Sequence, residues 1–276
     1  MSDTTLTLAD ARPVFRFRED RLPVAILLGG FAADLAVFAL APVWLAALWA
    51  LVSIPAKTCV AAWNHHHQHT AFFNPGVLNR FIEILFALQT GAVSKLWVLH
   101  HNVGHHENYL DQAKDESAWK TPSGRVMGAL EYTFTIAATG YSRAWANAAN
   151  RPQERLVFIL MLAATLAVLG ALFAINWANA LLVFLIPMTA SYLMTCWHTY
   201  DHHAGCSETD PYAASNNITH RWYNILTGNL GYHTAHHLRP GLHWSKLPEF
   251  HARIAERIPA ANFRSPGAPM AWLPAR

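Results

Sequence analysis

Four long apolar runs constrain the fold of this chain more than any other feature. Each approaches the roughly 20 apolar residues that a helix needs to cross a bilayer, and they cover about residues 22–40, 43–63, 156–175 and 179–197. Short linkers join the first run to the second and the third to the fourth. The chain is also only 13% charged, against about 25% for an average soluble domain. The sequence therefore predicts an all-α membrane protein with four transmembrane helices in two hairpins.

The positive charges predict the orientation of these helices. All twenty Lys and Arg residues lie outside the apolar runs except Lys57, and the two linkers within the hairpins carry none. Because positively charged loops stay in the cytosol, both termini and the long connections are predicted to be cytosolic, in a bacterial inner membrane. A signal peptide is the alternative for residues 22–40, but the internal Asp34 and the apolar run that follows at once argue against cleavage.

Two ionisable residues interrupt the apolar runs. Asp34 lies in the middle of the first run and is interpreted as an interhelical hydrogen-bond partner, with a role in substrate binding as the alternative. Pro55 predicts a kink in the second run. Lys57 follows two residues later and is expected to extend its amine to the membrane interface.

The apolar runs also divide the chain into segments. The predicted segments are an N-terminal cytosolic segment 1–21, a membrane domain 22–255 with cytosolic blocks 64–155 and 198–255, and a C-terminal tail 256–276. Within the first block, residues 79–99 are broken by Gly91 and Lys95, which predicts two short interfacial or re-entrant helices. Residues 126–149 predict an amphipathic helix on the membrane surface or an ordinary packed helix.

Histidines are the second unusual feature. Fourteen of the seventeen fall in four clusters, "NHHHQH" at 64–69, "HHNVGHH" at 100–106, "HTYDHH" at 198–203 and "HTAHH" at 233–237. Helical residues three or four apart share a face, so each cluster can direct two or three imidazoles to one point. Two clusters directly follow apolar runs, which places all four clusters on the cytosolic side. Imidazole is a ligand for Zn, Cu, Fe and Ni, so a structured metal site in a cytosolic helical cap is predicted.

The number of histidines favours two metal ions, because one tetrahedral zinc takes only four ligands. The cysteines Cys59, Cys196 and Cys206 form no CxxC pair, which argues against an iron–sulfur cluster or a four-cysteine zinc site. A net charge of +3 without an RNA-binding signature argues against nucleic acid as a partner. A metal transporter is a distant alternative, but its ligands belong near the bilayer midplane, where Asp34 alone is a charged candidate.

The histidine spacing resembles that of the integral-membrane fatty acid desaturase and hydroxylase superfamily. The pattern is HxxxH at 65–69, HxxxHH at 101–106 and HxxHH at 233–237, around two hydrophobic hairpins. The segment "GYHTAHHLRPGLHWSKLP" is similar to bacterial desaturase-like members in particular. The resemblance implies a non-haem di-iron centre, O₂ as co-substrate, and a fatty acyl or alkyl chain in a tunnel between the helices. It implies as metal ligands His65, His69, His101, His105, His106, His233, His236 and His237.

A ninth ligand is implied by the segment after the last apolar run. In the similar alkane monooxygenases this segment reads N-Y-x-E-H-Y-G, whereas residues 199–205 read T-Y-D-H-H-A-G. The family histidine falls on His203, but His202 replaces the glutamate and remains the alternative ligand. His198 lies four residues before His202 and is expected to support the site without ligating. Ligating histidines usually donate their second N–H to a carboxylate or carbonyl, and the candidate partners are Asp201, Glu107 and Asp111.

The resemblance further implies O₂-dependent oxidation of an unactivated C–H bond. Acyl desaturation is the favoured reaction, with hydroxylation or oxidative terminal-alkene formation as the alternative, and no catalytic residue beyond the metal centre is required. Because the chain has no redox domain, an external electron donor of the ferredoxin, rubredoxin or cytochrome type, with an NAD(P)H reductase, is predicted. It is predicted to dock on the basic residues Arg239, Lys246, Arg253 and Arg257, which the positive-inside bias alone also explains.

Overall fold

The computed structural model describes residues 13–268, 270, 271 and 273, so parts of the predicted N-terminal segment and C-terminal tail lie outside these residues. The main helices are α1 Arg21–Leu40, α2 Val43–His69, α3 Gly76–Thr90, the π-helix π1 Trp97–His106, α4 Ala129–Asn147, α5 Pro152–Ile175, α6 Trp177–Ala180, the π-helix π2 Leu181–Leu185, α7 Ile186–His203, α8 Arg221–Thr227, α9 His233–Leu238 and α10 Leu247–Ile254. Short 3₁₀ turns cover Arg18–Asp20, Trp244–Lys246, Ala255–Arg257 and Ala260–Asn262. The described residues contain no β-strand, and the predicted all-α fold is confirmed.

Among the described residues, four helical segments are long and apolar enough to cross a membrane, as the sequence predicts. They are Arg18–Leu40, Val43–His69, Pro152–Ile175 and Trp177–His203, the last of which joins α6, π2 and α7 without a break. The second and fourth segments each extend six residues beyond the predicted ends of the apolar runs, from 63 to His69 and from 197 to His203. Because neither extension contains glycine or proline, the helices continue and carry the histidines beyond the apolar region.

A buried ion pair joins α1 to α2 inside the bundle. Asp34 accepts a hydrogen bond from Trp49 Nε1 at 2.8 Å, and its second oxygen lies 3.0 Å from Lys57 Nζ. Asp34 is 1% and Lys57 3% exposed. The predicted interhelical hydrogen bond of Asp34 is therefore confirmed. The expected interfacial position of Lys57 is wrong, because the amine is paired inside the bundle and does not have to reach water; α2 continues helically through Pro55.

The π-helix π2 ties the last span to the same ion pair. Lys57 Nζ donates to the carbonyl of Val183 at 2.8 Å and lies 5.7 Å from the centre of the Phe184 ring. Both residues belong to π2, where the backbone departs from α-helical hydrogen bonding. Ser191 Oγ in turn donates to the carbonyl of Lys57 at 3.0 Å. Lys57 thus connects three spans at one depth.

The predicted break at Gly91 separates α3 from π1. Gly91 has a φ of +70°, and a Cβ atom there would lie 2.8 Å from the carbonyl oxygen of Met188. Only glycine fits such a left-handed, closely packed position without strain. α3 buries Ile82, Phe86 and Leu88 but exposes Val77 and Phe81, so its C-terminal half lies inside the bundle and its N-terminal half at the surface.

Helix α4 has two distinct faces. Tyr132, Ile136 and Ala144 are buried, whereas Leu130 and Phe134 are 64% and 60% exposed. The buried face packs against α7 and π1. Apolar side chains on the opposite face are typical of a helix that also contacts lipid.

Candidate metal centre

Nine buried or half-buried histidines converge where α2 and α7 end. In the part of the chain that the structure describes, two groups have ring nitrogens within 4.8 Å of one another, close enough to hold a metal ion. Group one is His65, His69, His101, His106 and His236, and group two is His105, His203 and His237. His233 adjoins group two, with its Nε2 3.0 Å from His203 Nε2. All nine histidines predicted as ligands are thus brought together.

Group one is built from Nε2 atoms that point at one another. His101 Nε2 lies 2.8 Å from His65 Nε2 and 3.0 Å from His106 Nε2. His69 Nε2 lies 3.2 Å from His65 Nε2, and His236 Nε2 lies 2.9 Å from His106 Nε2. Imidazole nitrogens bind a metal ion at about 2.0–2.1 Å and therefore lie roughly 3 Å apart when they are adjacent ligands. The spacing of group one suits one shared ion.

The Nε2 atoms in and beside group two lie at similar distances from one another. His203 Nε2 lies 3.2 Å from His105 Nε2 and 3.0 Å from His233 Nε2. His237 is only 5% exposed, yet neither of its ring nitrogens has a hydrogen-bond partner among the described residues. Buried polar atoms almost always have a partner. A metal ion is the partner that such an imidazole, surrounded by other imidazoles, would take.

The π-helix π1 explains how one sequence motif serves both groups. His101 and His106 belong to group one, whereas His105 belongs to group two. A π-helix bonds i to i+5 rather than i to i+4, so each turn holds more residues than an α-helical turn. His105 and His106 therefore flank His101 on opposite sides. The sequence does not predict this division, because the i, i+4 spacing of His101 and His105 predicts a shared face on an α-helix.

Hydrogen bonds to Nδ1 fix the orientation of two group-two rings. His105 Nδ1 lies 2.7 Å from Asp115 Oδ1, and His203 Nδ1 lies 3.2 Å from the carbonyl of Ala214. When Nδ1 carries the proton and donates it, the lone pair of Nε2 points into the group. Asp115 is itself held by the backbone N–H of Ser117 at 2.7 Å, so the carboxylate is fixed before any metal binds.

The carboxylates predicted for this supporting role lie elsewhere. Glu107 and Asp111 face surface cations, with nitrogen–oxygen distances of 3.9 and 2.9 Å. Asp201 interacts with Arg264 in the C-terminal segment. The acidic residues adjacent to the motifs are the ones that the sequence predicts, whereas Asp115 reaches His105 only because the loop after π1 folds back. Its spacing of ten residues from His105 carries no periodic signal.

Asp115→Asn is expected to lower metal affinity or activity about 10- to 100-fold, the usual effect of losing such a partner. The amide oxygen of the asparagine can still accept the hydrogen bond from the Ser117 N–H, but it no longer offers a negative charge to the N–H of His105. Metal content at limiting iron measures the effect. Asp111→Asn, in the same loop but paired with a surface lysine, is the matched control and should behave like the unchanged protein. An equal loss of metal in both variants would mean that the effect comes from a disturbed loop and not from the contact between Asp115 and His105.

His202, the alternative ninth ligand, uses both ring nitrogens outside the two groups. Nδ1 lies 3.3 Å from the carbonyl of Asn216, and Nε2 lies 3.1 Å from the hydroxyl of Tyr223. Its ring stacks on His233 with centroids 4.0 Å apart. His202 therefore supports a neighbouring ring, whereas His203 directs Nε2 into group two.

Burial also sets the protonation of these histidines. Removal from water lowers the pKa well below its ordinary value, with repulsion between neighbouring imidazoles adding to it, in His101, His106, His233, His236 and His237. The rings are neutral at physiological pH for this reason. Neutral imidazole is the form that binds metals.

A mostly apolar cavity of about 50 Å³ adjoins both groups, and its wall includes His65 and His101 of group one and His203 and His233. A second cavity of about 40 Å³ lies beside it. Trp97, His101, Thr195 and Thr199 line both cavities. A chain molecule lying in these cavities would pass directly beside the imidazoles.

A family model described as fatty acid desaturase matches residues 39–265 of the chain. That range contains all nine clustered histidines, Asp115 and most of both cavities. Comparison with curated proteins finds no match.

Proposed function

Because the chain belongs to the fatty acid desaturase family, we propose that it oxidises an unactivated C–H bond of a fatty acyl or alkyl chain with O₂ at a di-iron centre. The observation that carries the proposal is the pair of adjacent histidine groups beside an apolar cavity. Group one would hold one iron and group two, with His233, the other.

When bound, two irons would supply the oxygen activation that amino-acid side chains cannot. The chain supplies Nε2 donors, with the His105 ring oriented by Asp115 and the His203 ring by Ala214. It also supplies a dry place for the substrate carbon. The observed family match and the donor set both support this division of roles.

The cavity wall turns its hydroxyl groups away from the substrate position. Thr58 donates to the carbonyl of Ile54 at 2.9 Å, and Thr195 and Thr199 donate to carbonyls four residues earlier at 2.9 and 3.0 Å. Their hydroxyls are satisfied by the helix backbone, so the methyl groups remain to face an alkyl chain. Ala61 and Ala62 add small apolar side chains. Such a wall binds hydrocarbon and excludes water from the reacting carbon.

Desaturation is the reaction we propose first. Two hydrogens leave adjacent carbons, O₂ is reduced to two waters, and two electrons and two protons are supplied from outside. Hydroxylation or oxidative formation of a terminal alkene on a similar chain is the alternative. The external electrons would come from a ferredoxin, rubredoxin or cytochrome with its NAD(P)H reductase.

The membrane orientation belongs to the same proposal. The histidine end of the bundle and both termini would face the cytosol, where such donors are reduced. Three of the four basic residues considered for docking already have partners within the chain. Arg239 and Arg257 lie over the rings of Phe250 and Tyr212, at 4.5 and 3.7 Å from their centres, and Arg253 pairs with Glu249. We therefore assign these charges to membrane orientation.

Product analysis tests the proposal. Purified, iron-loaded protein is reduced by a ferredoxin and its reductase and given O₂ and a panel of acyl and alkyl substrates. About two irons per chain and a product lighter by two hydrogens are expected; a gain of one oxygen would support the hydroxylation alternative. An iron-free protein that moves zinc across vesicles would contradict the enzyme and support the transporter.

A further inference from the structure

A large cleft lies on the side of α2 that faces away from the first cavity. Its volume is about 650 Å³, and its wall comes mainly from α1, α2 and α8. Along α2, Ala61 and Ala62 line the first cavity, whereas Val60 and Trp63 line the cleft. Ile26 of α1 also lines the cleft and is 61% exposed, so the cleft opens towards the surrounding lipid. This lipid-facing cleft has the size of a small-molecule site, which is typically about 300–1,000 Å³.

The lipid-facing cleft contains a buried amide without a partner. Gln89, at the C-terminal end of α3, lines the cleft and is 3% exposed. Its Nε2 has no hydrogen-bond partner among the described residues. Gly30 of α1 lies opposite, where a Cβ atom would be 4.0 Å from this nitrogen. Because buried polar atoms almost always have a partner, the amide N–H requires a ligand that places an oxygen acceptor in the cleft.

The depth of this amide excludes an ordinary acyl chain as its partner. Gly30 lies nine residues after Arg21 in α1, which is about 13 Å along the helix axis. Since the charged Arg21 belongs at the membrane interface, Gln89 lies inside the hydrocarbon region, below the ester oxygens of a phospholipid. An acyl chain has no oxygen at that depth. A ligand that carries a carbonyl group on an apolar body does.

A row of aromatic rings on α2 leads from the cleft to group one. Trp63 lines the cleft, and its ring centre lies 6.0 Å from that of His66. The His66 ring lies 5.3 Å from that of His65, a member of group one. Both intermediate rings are held in place, since Trp63 Nε1 donates to the carbonyl of Leu226 at 3.0 Å and His66 Nε2 lies 3.0 Å from the carbonyl of Thr227. The cleft is therefore connected to the candidate metal centre by fixed aromatic rings.

A lipid quinone satisfies these conditions together, because it has an apolar tail, a ring with carbonyl oxygens and two exchangeable electrons. We propose that the lipid-facing cleft binds a lipid quinone, whose carbonyl accepts from Gln89, and that the corresponding quinol delivers electrons past Trp63 and His66 to the metal centre.

The electron step rests on the proposed function, and it balances. A quinol becomes a quinone by losing two electrons and two protons, which is what the proposed desaturation takes from outside. Quinol, O₂ and a saturated chain thus give quinone, an alkene and two waters. The quinol is a membrane-bound electron source in addition to the protein donors considered above.

Binding is tested with decyl-benzoquinone and the full chain in phosphatidylcholine nanodiscs. Trp49, Trp63 and Trp244 line the cleft, so a bound quinone should quench tryptophan fluorescence with a saturable component that empty nanodiscs cannot supply. Gln89→Leu removes the hydrogen-bond donor and should weaken binding about tenfold. Decylbenzene, which has the ring and the chain but no oxygen, should not displace the quinone.

Two glycines of α1 supply a matched pair of variants. Gly30→Leu places a side chain in the cleft beside Gln89 and should weaken quinone binding at least about tenfold, by excluding the ring from its site. Gly29 has no atom near its missing Cβ and does not line the cleft, so Gly29→Leu should bind the quinone like the unchanged protein. Iron content and thermal stability are measured first, to ensure that each variant is folded.

Electron delivery is tested without O₂ or substrate. Decyl-benzoquinol is added to protein loaded with Fe³⁺, and the absorbance of the quinone is followed. One quinol should be oxidised for every two Fe³⁺ reduced to Fe²⁺. Gly30→Leu should slow this oxidation, whereas dithionite, which does not need the cleft, should still reduce the iron in that variant.

The outcomes separate this inference from the proposed function. Displacement by decylbenzene as effective as that by the quinone, or equal weakening in Gly29→Leu and Gly30→Leu, would overturn the quinone site. Quinone binding without quinol oxidation, in protein that forms product with reduced ferredoxin, would refute electron delivery while the proposed function stands. Protein that binds the quinone but forms no product with any donor would refute the proposed function and leave the cleft as a quinone site.

Discussion

Replacing His203 by alanine is expected to remove iron from group two and to lower activity at least about 100-fold. This loss is larger than the loss caused by removing a hydrogen-bond partner of a ligand. The His203 Nε2 atom lies within about 3 Å of both His105 Nε2 and His233 Nε2, at 3.2 and 3.0 Å. No other side chain can replace a ligand at the centre of this group. Iron per chain and product yield are the measurements.

The neighbouring histidines supply the controls for His203→Ala. His202→Ala leaves the Tyr223 hydroxyl without its imidazole partner, which costs about 1–3 kcal/mol in stability, but the protein should retain iron. His198 lines the cavity without a hydrogen-bond partner for Nε2 among the described residues, and His198→Ala should retain both iron and most activity. Loss of iron in His202→Ala alone, with His203→Ala still loaded, would mean that His202 is the ligand.

The second large effect is expected deep in the bundle. Asp34→Leu leaves the Lys57 amine buried beside Val183 and Phe184 without its carboxylate, which typically destabilises a protein by about 3–5 kcal/mol. Lys57→Met leaves the Asp34 carboxylate buried without its amine partner and should destabilise the protein by a similar amount. Unfolding measured in detergent or by steric trapping in bicelles gives both values.

The double variant separates the contribution of the ion pair from the cost of burying one charge without its partner. Asp34→Leu combined with Lys57→Met removes both charges and should recover most of the loss, because an apolar pair can replace a buried ion pair at little cost. Trp49→Phe removes only one hydrogen bond to Asp34 and should cost about 1 kcal/mol. If the single variants add in the double variant, the two side chains do not act as a pair.

The membrane architecture could be predicted from sequence because it depends on length and hydrophobicity. The four apolar runs, the break at Gly91 and the hydrogen bond of Asp34 all follow from local rules about helices in lipid. The pairing of Lys57 with Asp34 does not, because it depends on which helices are neighbours. A lysine near a span end and a lysine paired inside the bundle have the same local sequence.

The candidate site could be predicted in part for a similar reason. Histidine spacing on a helix is local information, and together with the family resemblance it indicated the nine imidazoles that converge in the structure, with His202 as the alternative to His203. Their division between two groups depends on the π-helical geometry of π1. The contact of Asp115 with His105 depends on how a loop folds back, for which the chain carries no periodic signal.

The sharing of elements between the two groups has a consequence for how they would fill. α2 contributes only to group one and α7 only to group two, but π1 and α9 contribute to both. A change in the position of π1 or α9 on binding an ion in one group would therefore move ligands of the other group as well. The affinities of the two groups for their ions would be linked, and each ion would change the affinity for the other by the same factor.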